Sequence, residues 1–246
     1  QLANTVYWVG SNLKGGLQAF KAEGYIPRPV STHPVETAWQ AYTTVDDVLV
    51  WGEQSDGHEF LWVIFPTEGH TWLYDAKEGL WHERSYRNPL TNAEERHRAN
   101  CYTFAFGEHL VGDYVNGNIY ALDWQRYDDN GEEQIFEITL PPVYNSETGD
   151  RVKHTQLRLD CLNGVGLDGG VIPGSDPQVM MQTSNDGGRT WGSEHWKSLG
   201  LIGETQRLVQ WQRLGQARDR RYRLRISDAV PRVILGAYLD TEPLTS

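Results

Sequence analysis

Methionine is nearly absent from this chain: there are 2 in 246 residues, beside 10 tryptophans and 12 tyrosines. Scarce methionine with abundant aromatics argues against a helical bundle and for strands and turns. Long apolar runs are missing too. No stretch approaches the roughly 18–20 residues that a membrane span needs, so no membrane insertion by this chain is expected. No secretory leader precedes the first strand-like segment, and the chain opens on Gln1 rather than Met, which reads as part of a longer protein. Cysteine is limited to Cys101 and Cys161, with no CxxC pair. Two buried, reduced thiols are the favoured reading; spacing alone leaves a disulfide between them open.

Catalytic signatures are lacking as well. There is no GxSxG elbow, P-loop or HExxH, and the eight histidines are scattered without metal-ligand spacing. The expectation is no catalytic residue, no metal and no cofactor. Four acidic pairs (Asp46-Asp47, Glu94-Glu95, Asp128-Asp129 and Glu132-Glu133) mostly sit beside turn signals. They read as solvated loops rather than as acid–base partners or a Ca²⁺ site. Charge is uneven along the chain. Residues 1–150 carry 9 Lys+Arg and 23 Asp+Glu, a net −14, while residues 151–246 carry 13 and 10, a net +3. The acidic part argues against general nucleic-acid binding, which needs neutralising cations.

What is present reads as strand, turn, strand. Thr5–Val9, Val48–Trp51, Glu59–Phe65, His70–Asp75 and Leu80–Arg84 are β-rich and bounded by Gly, Pro or Asp-Gly signals. Cys101–Phe106, His109–Asp113 and Ile119–Asp123 repeat the pattern, with Asn116-Gly117 as a hairpin signal. Gly69-x-x-Trp72-x-x-Asp75 aligns with Gly117-x-x-Tyr120-x-x-Asp123 at an offset of 48 residues. That spacing fits β-propeller blades, whose repeats run roughly 40–50 residues, though a plain meander is the competing reading. Three partial repeats do not close a ring of the usual 4–8 blades. One short helix is expected after Thr32, through Pro34, Val35 and Trp39; Arg96-His97-Arg98 is placed on an exposed loop.

Texture changes near Pro141-Pro142 and the polar run Asn145–Asp150. Beyond it, Gln156–Leu162 alternates, Asn163–Pro177 is a Gly/Pro/Asp-rich loop, and strands are expected at 178–184, 206–214, 221–227 and 233–239. The fold class is therefore all-β: antiparallel propeller-like blades over 1–143, then a β-sandwich-like region over 150–246.

Ser184-Asn185-Asp186-Gly187-Gly188-Arg189-Thr190-Trp191 completes the Asp-box pattern, with Ser184, Asp186, Gly188, Thr190 and Trp191 at its defining positions. The carboxylate suits a tight turn of backbone N–H groups, Gly takes positive φ, and Thr and Trp re-enter a strand with the indole beneath the turn. A structural role is the expectation. Asp boxes are best known from sialidases, which keeps a glycan-cleaving or glycan-binding propeller as the alternative. Such an enzyme needs three convergent arginines, a Tyr–Glu pair and an acid Asp. Arginines and Tyr222 are present, but no spacing singles out that set. Arg218, Arg220, Arg221, Arg223 and Arg225 form a cationic stretch; on a strand, Arg221, Arg223 and Arg225 share one face. They are a candidate interface, because guanidinium forks suit carboxylates.

Trp211–Arg220, together with the Asp box and Arg225-Ile226-Ser227-Asp228, resembles the packaged-DNA stabilization (tail hub or nozzle) proteins of P22-like podoviruses. Ser31–Glu36, Gly57–Phe60, Trp72–Asp75 and Trp81–Arg84 are similar to the same family. The resemblance implies a structural virion protein of a short phage tail, assembled in the host bacterial cytoplasm. It implies a ring of copies, six by analogy, that joins the portal–adaptor and holds packaged double-stranded DNA in its lumen. A seat for tail needle and tailspikes is implied too, and catalysis is not.

Overall fold

The computed structural model describes residues 2, 4–12, 15–170 and 172–244. It divides into two compact units, Gln1–Trp124 and Gln125–Ser246. All-β architecture is borne out. The one helix among the described residues, α1 (His33–Trp39), is not long enough to cross a membrane.

The first unit contains three antiparallel sheets. The first sheet orders β1 (Tyr7–Ser11), β2 (Leu17–Glu23) and β3 (Ile26–Pro29). After α1, the second orders β4 (Leu49–Ser55), β5 (His58–Phe65), β6 (His70–Asp75), β7 (Leu80–Arg87) and β8 (Glu94–Arg96). The third orders β9 (Ala99–Ala105), β10 (Glu108–Asp113) and β11 (Ile119–Leu122). The two aligned Gly-x-x-aromatic-x-x-Asp motifs fall on β6 and β11, the third strand of the second and third sheets. The repeat thus marks equivalent positions.

Local chemistry explains the turns. Asp56 and Gly57 both have positive φ (49° and 75°) and join β4 to β5 as a two-residue hairpin. Phe106 (57°) and Gly107 (83°) do the same between β9 and β10. Asn116-Gly117 does not: only Gly117 is left-handed, and Asn116 Oδ1 instead accepts the Asn118 N–H (2.9 Å) within a longer connection. An Asn side chain that caps its own turn removes the need for a second positive φ.

β5 holds the unit together because it is buried on both faces. Leu61, Val63 and Phe65 pack with Val35 and Trp39, while Phe60 and Trp62 pack with Leu73, Trp51 and Leu122. Trp39 is the pivot of the first cluster. Its ring meets Trp81 edge-on at 5.5 Å and Phe65 at 5.3 Å. On the opposite face Trp51 stacks on Trp62 at 4.5 Å and on Tyr102 at 5.1 Å, tying the second sheet to the third. Arg96-His97-Arg98 is not the exposed loop expected. Arg96 is buried over the Tyr114 ring (3.5 Å), and Arg98 lies over Tyr86 (4.0 Å). Flat guanidinium groups stack on rings, so this cationic run clips two sheets together.

The second unit is a sandwich. One sheet orders β12 (Phe136–Thr139), β19 (Asp219–Ile226), β15 (Gln178–Ser184) and β16 (His195–Ser198), with β13 (Val143–Tyr144) also on β19. The other places β14 (Val152–Cys161) between β17 (Val209–Gln212) with β18 (Gln216–Ala217) and β20 (Ile234–Pro243). Leu157, Leu159, Val179, Met181, Trp211, Tyr222 and Leu224 fill the space between.

The expected ranges, 1–143 and 150–246, group residues 125–143 with the blades. The strand Phe136–Thr139 instead pairs with β19, Phe136 against Ile226, inside the second unit. Pro141-Pro142 ends a strand of the sandwich rather than a domain. Counted by unit, the net charges become −8 (8 Lys+Arg, 16 Asp+Glu) and −3 (14 and 17), so much of the apparent asymmetry came from the placed boundary. The cysteines also differ from the buried pair expected: Cys101 is exposed, Cys161 is half-buried, and both are free. Burial, with Asp160 nearby, pushes the Cys161 thiol up to about 11.

Candidate functional site

The Asp box connects β15 to β16. Ser184, buried at the end of β15, accepts the Gly188 N–H at Oγ (2.9 Å) and donates to Asp186 Oδ1 (2.7 Å). Asp186 then accepts the N–H groups of Arg189 (3.0 Å) and Thr190 (3.0 Å), and the Thr190 hydroxyl (2.6 Å). These donors, the Thr190 hydroxyl first, hold the Asp186 carboxyl well below the usual carboxylate range. Gly187 and Gly188 take φ of 78° and 94°. Both carboxylate oxygens of Asp186 are spent on its own turn, which is structural use of a carboxylate rather than catalytic use. One detail differs from the expectation. Thr190 and Trp191 do not re-enter a strand at once; β16 begins at His195. Trp191 is half-buried, near Gly188 on one side and under the Arg223 guanidinium (4.2 Å) on the other.

The five arginines split into different environments. On β19, Arg221, Arg223 and Arg225 alternate with buried Arg220, Tyr222, Leu224 and Ile226, as the period-two reading requires. Arg220 is only 5% exposed and is committed internally: Nε donates to Asn185 Oδ1 (2.8 Å), and its other nitrogens reach the carbonyls of Leu214 and Gln216. Through Asn185 it anchors the Asp-box turn to the strand beneath. Arg223 donates to Gln182 Oε1 (Nε, 3.2 Å), and Arg225 donates twice to Glu137 Oε2 (3.0 and 2.6 Å). Arg218 is exposed and donates to the Gly149 carbonyl (2.7 Å). Arg218 and Arg221 are thus the members least tied into the sandwich.

Tyr222, which a sialidase-like reading would need at a reaction centre, is in the core. It is 1% exposed, and its hydroxyl lies 2.9 Å from His154 Nδ1. Burial raises the Tyr222 pKa, and burial followed by the Arg220 charge pushes His154 down to about 4. His154 Nε2 is buried without a hydrogen-bond partner. A neutral imidazole accepts this situation at less cost than a charged one.

Sequence reasoning missed two further polar side chains that tie segments together. Arg232 donates to the Asp228 carbonyl (3.1 Å), the Tyr127 carbonyl and Gln134 Oε1 (3.3 Å), stapling residues 127–134 onto the sandwich. Glu53 is buried at 3% and accepts from Trp62 Nε1 (2.9 Å) and Ser55 Oγ (2.7 Å). A charged residue with a Trp two strand positions across the hairpin is the only trace of the second in sequence. Two of the acidic pairs do turn work: Asp47 Oδ2 accepts from Thr67 (2.9 and 2.7 Å), and Asp128 Oδ1 accepts the Gly131 N–H (3.1 Å), whereas Glu94-Glu95 lies on β8 rather than in a loop, Glu95 accepting from Asn88 Nδ2 (2.7 Å).

Two family models match the chain in sequence order. The one described as bacteriophage P22 Gp10, beta-propeller, covers residues 1–127, and the one described as bacteriophage P22 Gp10, beta-sandwich, covers residues 137–242. The chain belongs to this family. Comparison with curated proteins returned no match. The propeller match spans the three sheets of the first unit, and the sandwich match begins one residue into β12, in line with its pairing to β19. The P22 Gp10 family is a tail and DNA-stabilisation family of phage structural proteins, so the resemblance of Trp211–Arg220 and the Asp box to such proteins holds.

Proposed function

We propose that this chain is a non-catalytic hub or nozzle component of a short phage tail. In that role it joins the portal–adaptor, retains packaged DNA and seats the tail needle and tailspikes. The observation that carries the reading is the ordered match of both P22 Gp10 domains across nearly the whole chain. The geometry supports it, since Asp186 is consumed by its own turn and Tyr222 by the core. Copies of the chain form a ring, probed as a hexamer, with Arg218 and Arg221 available to carboxylates of a neighbour. Arg223 and Arg225 are poorer candidates because Gln182 and Glu137 already occupy them. DNA passes a lumen to which the first unit, net −8, contributes acidic or neutral surface; a basic wall would hold phosphates in salt-sensitive contacts.

The test is Arg218→Glu with Arg221→Glu in phage. Particle yield and genome retention should fall together, while the purified variant keeps its fold. Unchanged particles would remove the interface, and hydrolysis of a fluorogenic sialoside by the purified chain would remove the non-catalytic reading.

A further inference from the structure

The outer face of the β12–β19–β15–β16 sheet carries a group of side chains that the core does not use. Val179, Met181 and Leu224 face the core, so the residues next to them on the same strands face outward. Register then sets two rows across this face. One runs Trp196, Met180, Arg225, Glu137 over all four strands. The next holds Gln182, Arg223 and Thr139. With neighbouring strands ~4.8 Å apart, the first row spans ~14 Å, longer than one sugar ring.

Two properties set these rows apart from an ordinary solvated surface. First, their polar groups form one connected network. Arg225 donates twice to Glu137 Oε2, and Arg223 Nη1 lies 3.7 Å from Glu137 Oε1. Arg223 also donates to Gln182 Oε1, and Gln182 Nε2 donates to the Gly192 carbonyl (3.0 Å). The Trp191 ring lies against the Arg223 guanidinium and backs the network. Four planar side chains are thus held in place, and a ligand does not have to order them. Second, Trp196 stands 53% exposed at one end of the first row. A large ring half in water, beside fixed planar polar groups, offers an apolar plane and hydrogen-bond partners together.

The charges select among ligands. Glu137 stands between Arg223 and Arg225, and Gln182 takes the other donors of Arg223, so neither cation calls for an outside carboxylate. Arg225 uses Nε and Nη2 on Glu137 and keeps Nη1, and the carboxylate and amide oxygens keep lone pairs. Such a surface suits a neutral molecule that brings both donors and acceptors. A sugar does so with its hydroxyls, and its C–H face stacks on an indole. An apolar partner would cover the network without pairing it, at the cost of desolvated polar groups. We infer that this face binds a neutral oligosaccharide, one ring stacked on Trp196 and the hydroxyls of the next on Arg225, Glu137 and Gln182. The site lies on the sandwich and does not depend on ring assembly, which rests on Arg218 and Arg221.

The test applies the purified 246-residue chain to an array of neutral hexasaccharides of gluco, galacto and manno configuration, with and without N-acetyl groups, beside uronate hexasaccharides and acidic peptides. At least one neutral glycan should bind and, in solution, quench tryptophan fluorescence. Trp196→Ala should weaken that binding at least about tenfold, roughly the worth of one stacked ring. Arg225→Met should weaken it too, with both variants folded by circular dichroism and thermal melts. Tyr238→Ala, which removes a ring 52% exposed on the other sheet, should leave it unchanged. No binding to any neutral glycan overturns the inference, as does binding that survives Trp196→Ala or falls equally in Tyr238→Ala. Preference for the uronate glycans or the acidic peptides overturns the neutral class. Acrylamide quenching that falls as protein concentration rises, in the wild type but not in Trp196→Ala, gives the face to a second copy and overturns it as well.

Discussion

Strands β5 and β19 are each eight residues long, yet their sequences, HEFLWVIF and DRRYRLRI, share almost nothing. β5 lies between sheets on both sides and buries six residues in a row; β19 lies on one side of a sandwich and buries every second residue. A strand covered on both faces has no use for alternation, whereas a strand covered on one face is defined by it. The first unit is thus held by a run of apolar side chains, and the second by period-two packing plus polar clamps such as buried Arg220 and half-buried Arg232.

The comparison can be broken most forcefully at Trp39. Trp39→Ala removes a ring that is 1% exposed and should cost about 3–5 kcal/mol, as large-to-small core changes do. Chemical denaturation followed by hydrogen exchange should show the first unit opening early and the second unchanged; loss of both together would mean that the units do not fold separately. Arg220→Met comes next. It removes the buried guanidinium's bonds to Asn185 and two carbonyls and should cost about 1–3 kcal/mol. Arg225→Met, on the outer face of the same strand, should cost less than about 1 kcal/mol. Equal effects of the two would sink the distinction between clamp and surface.

Trp191→Ala should cost about 1–3 kcal/mol, from partial burial and the Arg223 contact. The mildest test shows nothing at neutral pH. Burial holds His154 at about 4, below the ordinary 6.5, so the folded protein binds fewer protons than the unfolded chain between those values. Stability of the second unit, complete above about pH 6.5, should therefore fall as pH drops toward 4 and level off below. His154→Asn should flatten that slope in thermal melts, and an unchanged slope would place its origin elsewhere.

Much of the fold was legible before any coordinates. The strands Gln178–Ser184 and His70–Asp75 are found where the sequence puts them, because each is a β-rich run bounded by turn residues. Leu157 and Leu159 face the core as alternation demands. β2 and β3 were not among the strands legible in the sequence, since Leu17–Glu23 and Ile26–Pro29 show neither alternation nor an apolar run. Of the candidate site, the Asp-box turn was legible because all its partners lie within seven residues of one another. The fates of the arginines were not, because Arg220 finds Asn185 and Arg225 finds Glu137 across 35 and 88 residues.

By itself, then, the sequence determined the all-β class, the strand periodicities, the Asp-box turn and the family likeness, all of which rest on neighbours in the chain or on period-two spacing. Tertiary structure alone decided that Phe136–Thr139 belongs to the sandwich, that Arg96 and Arg98 are clips rather than loop charges, and that Cys101 is exposed. Each of those depends on which face of which sheet meets another, and a one-dimensional pattern gives the same alternation whichever partner covers it.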